Sequence, residues 1–293
     1  MIGVWAPLAA TEPQARWIIG VHLAALALPI ILIAAPRTLP PVVASFRNFY
    51  PLLFLWVFWK ELGDHYGYVG SHLGDLMVRA LDLRLFGQHL NLIWMPAMPE
   101  TWFSELMYFF YLSYYVLLLV VPVALFLRRD KAITTDVILR LTVANLACFA
   151  VYACLPTVGP FHLFPAFKGA LVKGALYQFN VATQVAGDAL GTAFPSSHVA
   201  GAVTVAWLAQ RYWGGWTGRA LWVVTLCIAL ATVYTQNHFV IDSLTGALVG
   251  IGLQYALIPA LPAALGALGG ALVARAGASR VPDVVPSAEP EAS

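Results

Sequence analysis

Two stretches in the last third of the chain carry residue types that chemistry uses. Phe194-Pro195-Ser196-Ser197-His198 opens one apolar run, and Asn237-His238-Phe239-Val240-Ile241-Asp242 opens another. His238 and Asp242 are four residues apart, so on a helix they share a face. The carboxylate then accepts the imidazole Nδ1–H and leaves Nε2 with a free lone pair, an activated nucleophile or base. His198 has no carboxylate within a helical turn. Ser196 and Ser197 precede it at a helix start, where unbonded backbone N–H groups and the positive end of the helix dipole attract an anion such as phosphate.

These parts suffice for phosphoryl transfer through a phosphohistidine. His238 Nε2 attacks phosphorus, Asp242 orients the ring and stabilises its charge, and His198 protonates the departing oxygen. Water then resolves the phosphoenzyme in a phosphatase, and an alcohol does so in a transferase. The scheme requires no metal or other cofactor, because cations and helix-end amides can hold the equatorial oxygens. Two other classes compete. Intramembrane His and Asp also serve proton-coupled transporters, although both histidines sit at helix mouths on one face, and neither an inverted repeat nor paired broken helices accompany them. His-x3-Asp with a distant His also supplies three zinc ligands, a reading that metal content and resistance to chelator would separate from the first.

Pro195-Ser196-Ser197-His198, followed forty residues later by His238-x3-Asp242, resembles the second and third signature motifs of the type 2 phosphatidic acid phosphatase superfamily. Ala231-Thr232-Val233-Tyr234 leading into His238-Phe239-Val240-Ile241-Asp242 is most similar to the inositol phosphorylceramide synthase branch. The chain departs from the family pattern in two places. Ala231 and Thr232 stand where the third motif has a Ser-Arg pair, and the first motif, Lys-x6-Arg-Pro, is missing, with Pro156-Thr157-Val158-Gly159-Pro160 where the synthase branch has a Pro-rich turn. The resemblance covers about residues 80–260 and is specific in its last third. It implies the same roles for His198, His238 and Asp242, and a lipid phosphotransferase that moves a phosphoryl or phospho-headgroup between a lipid and an alcohol. A lipid phosphate or polyprenyl diphosphate phosphatase is the alternative within the superfamily.

Positioning such residues falls to membrane helices. The chain is 60% hydrophobic and 10% charged, with a net charge of +2. That composition belongs to a polytopic membrane protein, and its dispersed bases give no case for a nucleic-acid partner. Cys148, Cys154 and Cys227 all fall in apolar runs, so neither a disulfide framework nor a thiolate metal site is indicated. Apolar runs lie at about 17–36, 42–60, 102–127, 133–155, 197–213, 217–236 and 239–262, against the roughly 20 residues a bilayer needs. The first lacks a basic n-region and a cleavage site and is read as a retained span. The expected fold is therefore all-α, a polytopic membrane helical bundle of about seven spans. Six form the core that the resemblance implies and one is an added N-terminal span. Residues 1–265 are expected to form one catalytic domain, and the Pro-, Ser- and Glu-rich 266–293 a disordered cytoplasmic tail. The short basic loop Arg128-Arg129-Asp130-Lys131 marks the cytoplasmic side. Both histidines then face outward, as expected of a bacterial inner-membrane enzyme with an extracytoplasmic site. The sequence leaves the oligomeric state open.

Candidates for substrate contact follow from that placement. Residues 72–86 read as an interfacial amphipathic helix with Asp75 and Arg79 able to pair on its solvated face. Within it, Leu81 to Gly87 resembles a segment of the synthase branch, which makes Arg84 or Arg79 a candidate phosphate contact. Tyr108, Tyr111 and Tyr115 share a helical stripe, either as an aromatic belt or as the lining of a headgroup pocket, for which Tyr111 is the candidate. The loop after Leu155 is too rich in Pro and Gly for a helix yet stays apolar, so it is expected to fold over the site as an outer lid sealed by Phe161, Phe164 and Phe167. With the family's cations missing, Lys168, Lys173 and His162 of that lid are the substitutes, beside Ser196 and Ser197 at the helix start. The substrate partner is a lipid phosphate or phospholipid in the bilayer.

Overall fold

The computed structural model describes residues 5–34, 41–69, 73–128 and 130–260. Arg37, His72, Arg129 and the tail 266–293 lie outside the described residues. The described chain is all-helical, as expected, with eleven α-helices. Each of the seven apolar runs is a helix: α1 (Pro13–Ala34), α2 (Pro41–Val69), α5 (Thr101–Leu127), α6 (Lys131–Cys154), α8 (Ser197–Tyr212), α9 (Gly215–Tyr234) and α10 (Val240–Gly252). Between the spans lie α3 (Leu73–Phe86), α4 (Leu90–Ala97), the four-residue turn Pro160–Leu163 and α7 (Ala175–Gly187).

Among the described residues, five helices, α1, α5, α6, α9 and α10 with its continuation to Ala260, are long and apolar enough to cross a membrane. They make the polytopic helical bundle that was expected, and the other two expected spans, α2 and α8, are helices whose described residues are less apolar. α2 carries Arg47, Lys60, Glu61 and Asp64, which dilute its hydropathy. α8 has 16 residues, and its interior is built from Ala, Gly, Val and Thr rather than large apolar side chains.

α8 is nonetheless the hub of the bundle. It packs against α5, α6, α9 and α10, and Val199 to Ala206, Leu208 and Ala209 are all buried. A helix enclosed by protein meets no lipid, and small residues let its neighbours approach closely. Its N-terminus is fixed by the Ser196 side chain, which accepts the Val199 N–H. α10 starts beside it, with the Asp242 carboxylate folded back to accept the Phe239 N–H at 2.8 Å. This is one half of a capping box; Phe239 has no side-chain acceptor to supply the other. The two starts touch: the Ser196 N–H donates to the Asp242 carbonyl at 2.9 Å, and a Cβ on Gly246 would collide with the Ser196 carbonyl.

The bundle's exterior is apolar. Trp17, Ile30, Trp56, Leu119, Leu127 and Leu248 are all at least 60% exposed, a surface that only hydrocarbon solvates without penalty. α3 follows the same rule and corrects an expectation. Its Leu73, Leu76, Met77, Leu81, Leu83 and Leu85 are exposed, while Asp75 and Asp82 are buried. The carboxylates face protein rather than water. Asp75 accepts the Val158 N–H at 2.6 Å and the Tyr66 hydroxyl at 3.3 Å, and Arg79 lies 5.3 Å from the Phe164 ring centre.

Candidate active site

The turn between α9 and α10 aims His238. Gln236 adopts the left-handed region, with φ of 61°, which folds the chain back so that the Thr232 carbonyl accepts both the Asn237 and His238 N–H groups. The Thr232 hydroxyl is 2.7 Å from that of Ser243, so the position where the resembled motif has an arginine is packed into the helix interface. His238 is 5% exposed and Asp242 is fully buried. Nδ1 of the ring is 3.6 Å from Asp242 Oδ2, which leaves Nε2 directed away from the carboxylate. His238 lines a cleft and Asp242 does not, so the carboxylate stands behind the ring. It faces the ring of His238 rather than the cleft.

His198 reaches the same cleft from the first turn of α8. Its ring centre is 5.9 Å from that of His238. Three tyrosines of α5 hold it: Tyr111 stacks on it at 4.7 Å, Tyr114 is tilted at 4.5 Å, and the Tyr115 hydroxyl is 3.0 Å from Nε2. The sequence stripe drew attention to Tyr108, Tyr111 and Tyr115. Tyr108 instead packs with Met95, Leu171 and Tyr234, and Tyr114 takes its place on the histidine. Positions 111, 114 and 115 follow the i, i+3, i+4 spacing of one helix face, and that was the signal to read.

The start of α8 is less open to an anion than expected. The Ser197 N–H donates to the Tyr152 hydroxyl at 3.1 Å, and that hydroxyl donates to the Pro195 carbonyl at 2.7 Å. Ser196 is fully buried and is occupied as the helix cap, whereas Ser197 lines the cleft. Tyr152, unmarked in the sequence, therefore supports the loop that presents His198.

The Pro-rich loop forms the facing wall. Thr157 and Thr192 pair as an isolated parallel bridge, with Thr157 N–H to Gly191 O at 3.2 Å and Ala193 N–H to Thr157 O at 3.0 Å. The Phe161 N–H donates to the Gln236 carbonyl at 2.8 Å. A Cβ on Gly159 would strike the Asn237 carbonyl, so only glycine permits this approach. The loop is thus laced to both motifs. Phe161 lines the cleft; Phe164 packs instead with Val78, Phe239 and Ile241, and Phe167 with Met95 and Leu171. The expected three-phenylalanine seal reduces to Phe161 because the outer two bury themselves against α3, α4 and α10.

Among the described residues, no Lys or Arg lines the cleft. Lys168 and Lys173 are exposed on the loop, and Arg84 lines a separate apolar cavity with Met77, Leu81, Leu155 and Phe194. The cleft is lined by the imidazoles of His162, His198 and His238, beside the polar side chains of Asn237, Gln184, Asp188 and Thr157. His162 Nε2 is 2.9 Å from Asp188 Oδ2, and Gln184 donates to the Asn237 side chain.

A family profile described as the PAP2 superfamily matches residues 76–276, a span that takes in α3, the Pro-rich loop and both histidines. No curated protein and no solved structure matches the chain.

Proposed function

Because the chain belongs to the PAP2 superfamily, whose members are generally phosphatases or phosphotransferases, we propose that it is a membrane-embedded lipid phosphotransferase working through a phosphohistidine. In this reading it resembles inositol phosphorylceramide synthases and moves a phosphoryl or phospho-headgroup from a lipid to an alcohol. Residues 1–265 are its catalytic domain, and the cleft opens on the extracytoplasmic side of a bacterial inner membrane, opposite the basic Arg128–Lys131 loop. The observation that carries the reading is the convergence of two imidazoles, ring centres 5.9 Å apart, one backed by a buried carboxylate. That spacing admits one phosphorus between a nucleophile and an acid.

His238 Nε2 attacks phosphorus while Asp242 offsets the positive charge that grows on the ring. His198 hands its proton to the departing oxygen, held in line by Tyr111 and Tyr115. With no lysine or arginine lining the cleft among the described residues, the charge of the phosphoryl group is met by His198 and by the ring of His238 as it gains charge. Hydrolysis is the second reading. It is favoured by the cleft mouth, where the His162 and Asp188 side chains are 27% and 28% exposed and water has access.

Incubating the purified protein with candidate lipids, with and without an alcohol acceptor, and identifying products by mass spectrometry distinguishes the two. A lipid headgroup transferred to the alcohol supports the transferase. Release of the hydrolysis product alone, whatever acceptor is offered, leaves the phosphatase. In the transferase, Phe161→Ser should raise hydrolysis relative to transfer, since Phe161 is the aromatic side chain of the loop that lines the cleft.

A further inference from the structure

The cleft contains a second histidine–carboxylate pair that the scheme above leaves unused. We propose that His162, held by Asp188, is the general base that takes the proton of the incoming water or alcohol when the phosphohistidine is broken down. This rests on the phosphohistidine reading and assigns its second half.

His162 Nε2 lies 2.9 Å from Asp188 Oδ2. An ionised carboxylate only accepts hydrogen bonds, so Nε2 carries the proton and Nδ1 keeps its lone pair. Both residues line the cleft that holds His198 and His238. Asp188 also lines, with Tyr111 and Tyr115, the groove between α5 and α7, and those tyrosines hold His198. Asp188 therefore stands beside the tyrosines that hold His198. In an in-line displacement the attacking and leaving groups lie on opposite sides of phosphorus. The group expelled by His238 leaves toward His198, and the acceptor that later expels His238 must enter from the same side.

His162 is better equipped than His198 to receive that proton. Among the described residues His198 has no carboxylate partner, and its Nε2 is engaged by the Tyr115 hydroxyl at 3.0 Å. His162 gains a charge beside Asp188, and its partial exposure lets the proton pass on to solvent. The residue before His162 is also tied to the nucleophile's own turn, through Phe161 N–H to Gln236 O.

The step balances. The acceptor oxygen forms the new O–P bond, the P–N bond to His238 breaks with its electron pair returning to Nε2, and the acceptor's proton moves to His162 Nδ1. No oxidant or further reactant is needed.

Rapid-quench kinetics of the full-length protein with p-nitrophenyl phosphate test this. The good leaving group makes phosphoenzyme formation fast and breakdown limiting. In the wild type, a burst of nitrophenolate should accompany an acid-labile phosphoenzyme that His238→Ala abolishes. His162→Ala and His162→Gln should both keep the burst rate within about twofold, lower steady-state turnover by about 10²–10⁴-fold, the usual worth of a general base, and raise the standing phosphoenzyme. Added imidazole should restore turnover to His162→Ala. Equal loss of burst and turnover, full activity in His162→Gln, or unchanged turnover in both variants would each overturn the assignment; the first two would make His162 a structural pin of the loop. A wild type with neither burst nor phosphoenzyme instead removes the phosphohistidine reading itself, a result distinct from the others.

Discussion

The two central histidines differ in what backs them, and that difference predicts how their variants behave. His238→Ala removes the only nucleophile, so phosphoenzyme should vanish with every substrate. His198→Ala should lose about 10²–10⁴-fold with a poor alkoxide leaving group, the usual worth of a general acid. With p-nitrophenyl phosphate, which needs no protonation, the loss should be within about tenfold. Equal losses on both substrates would deny His198 the acid role. Asp242→Asn still accepts the Phe239 N–H but loses the charge facing His238 Nδ1, and its rate should lie between the two. His238 and Asp242 were legible in the sequence as a pair four residues apart, although His238 lies in the turn before α10 rather than on the helix. The side chains that hold the acid were not: Tyr115 is 83 positions from His198 and Tyr152 is 45 from Ser197. His162 and Asp188 are 26 apart. No local periodicity links such pairs. The lysines rest on elimination, on charge alone, and charge does not say which way a loop turns; Arg84 rests on the resemblance of Leu81 to Gly87, which does not say what its helix face meets.

At the scale of elements, the site depends on two helix starts held in register. Gly246→Ala should push α10 from the Ser196 main chain at a cost of about 1–3 kcal/mol, typical of overpacking. Activity should fall further than the drop in thermal stability would explain, because the displacement separates His198 from His238. Asp82 holds the same junction from outside. It is fully buried, accepts the Ile241 N–H at 3.3 Å and pairs with His89 Nδ1 at 3.0 Å. Asp82→Ala should cost about 1–3 kcal/mol, the penalty for leaving a buried donor unpaired, read as a lower midpoint in thermal unfolding. The seven apolar runs appear as helices at nearly the expected bounds, since a span's length and composition are both local properties. The orientation of α3 was misjudged because its amphipathic pattern was read as if water were the solvent of its polar side. In a membrane protein the polar side can face protein and the apolar side lipid, and periodicity alone does not distinguish the two.

For the molecule as a whole, the ends of the helices sort its chemistry from its charge. Both histidines, the Pro-rich loop and α7 lie at one end of the bundle, and the α5–α6 turn with Arg128 and Lys131 lies at the other. In a cysteine-free background, Val185→Cys, on an exposed position of α7, should react with an impermeant maleimide added to intact cells. Lys131→Cys should react only after the membrane is opened. The reverse pattern would turn the cleft toward the cytoplasm. The inverted helix α3 bears on this geometry as well. Its leucines face outward from the bundle, while Asp75 tethers the wall of the cleft at Val158 and Asp82 tethers the start of α10 at Ile241. It is a buoy on two short lines. Whatever changes its draught, whether bilayer thickness, chain packing or the detergent that replaces them, should pull on both attachments, so the spacing of the two imidazoles should follow the lipid as well as the chain.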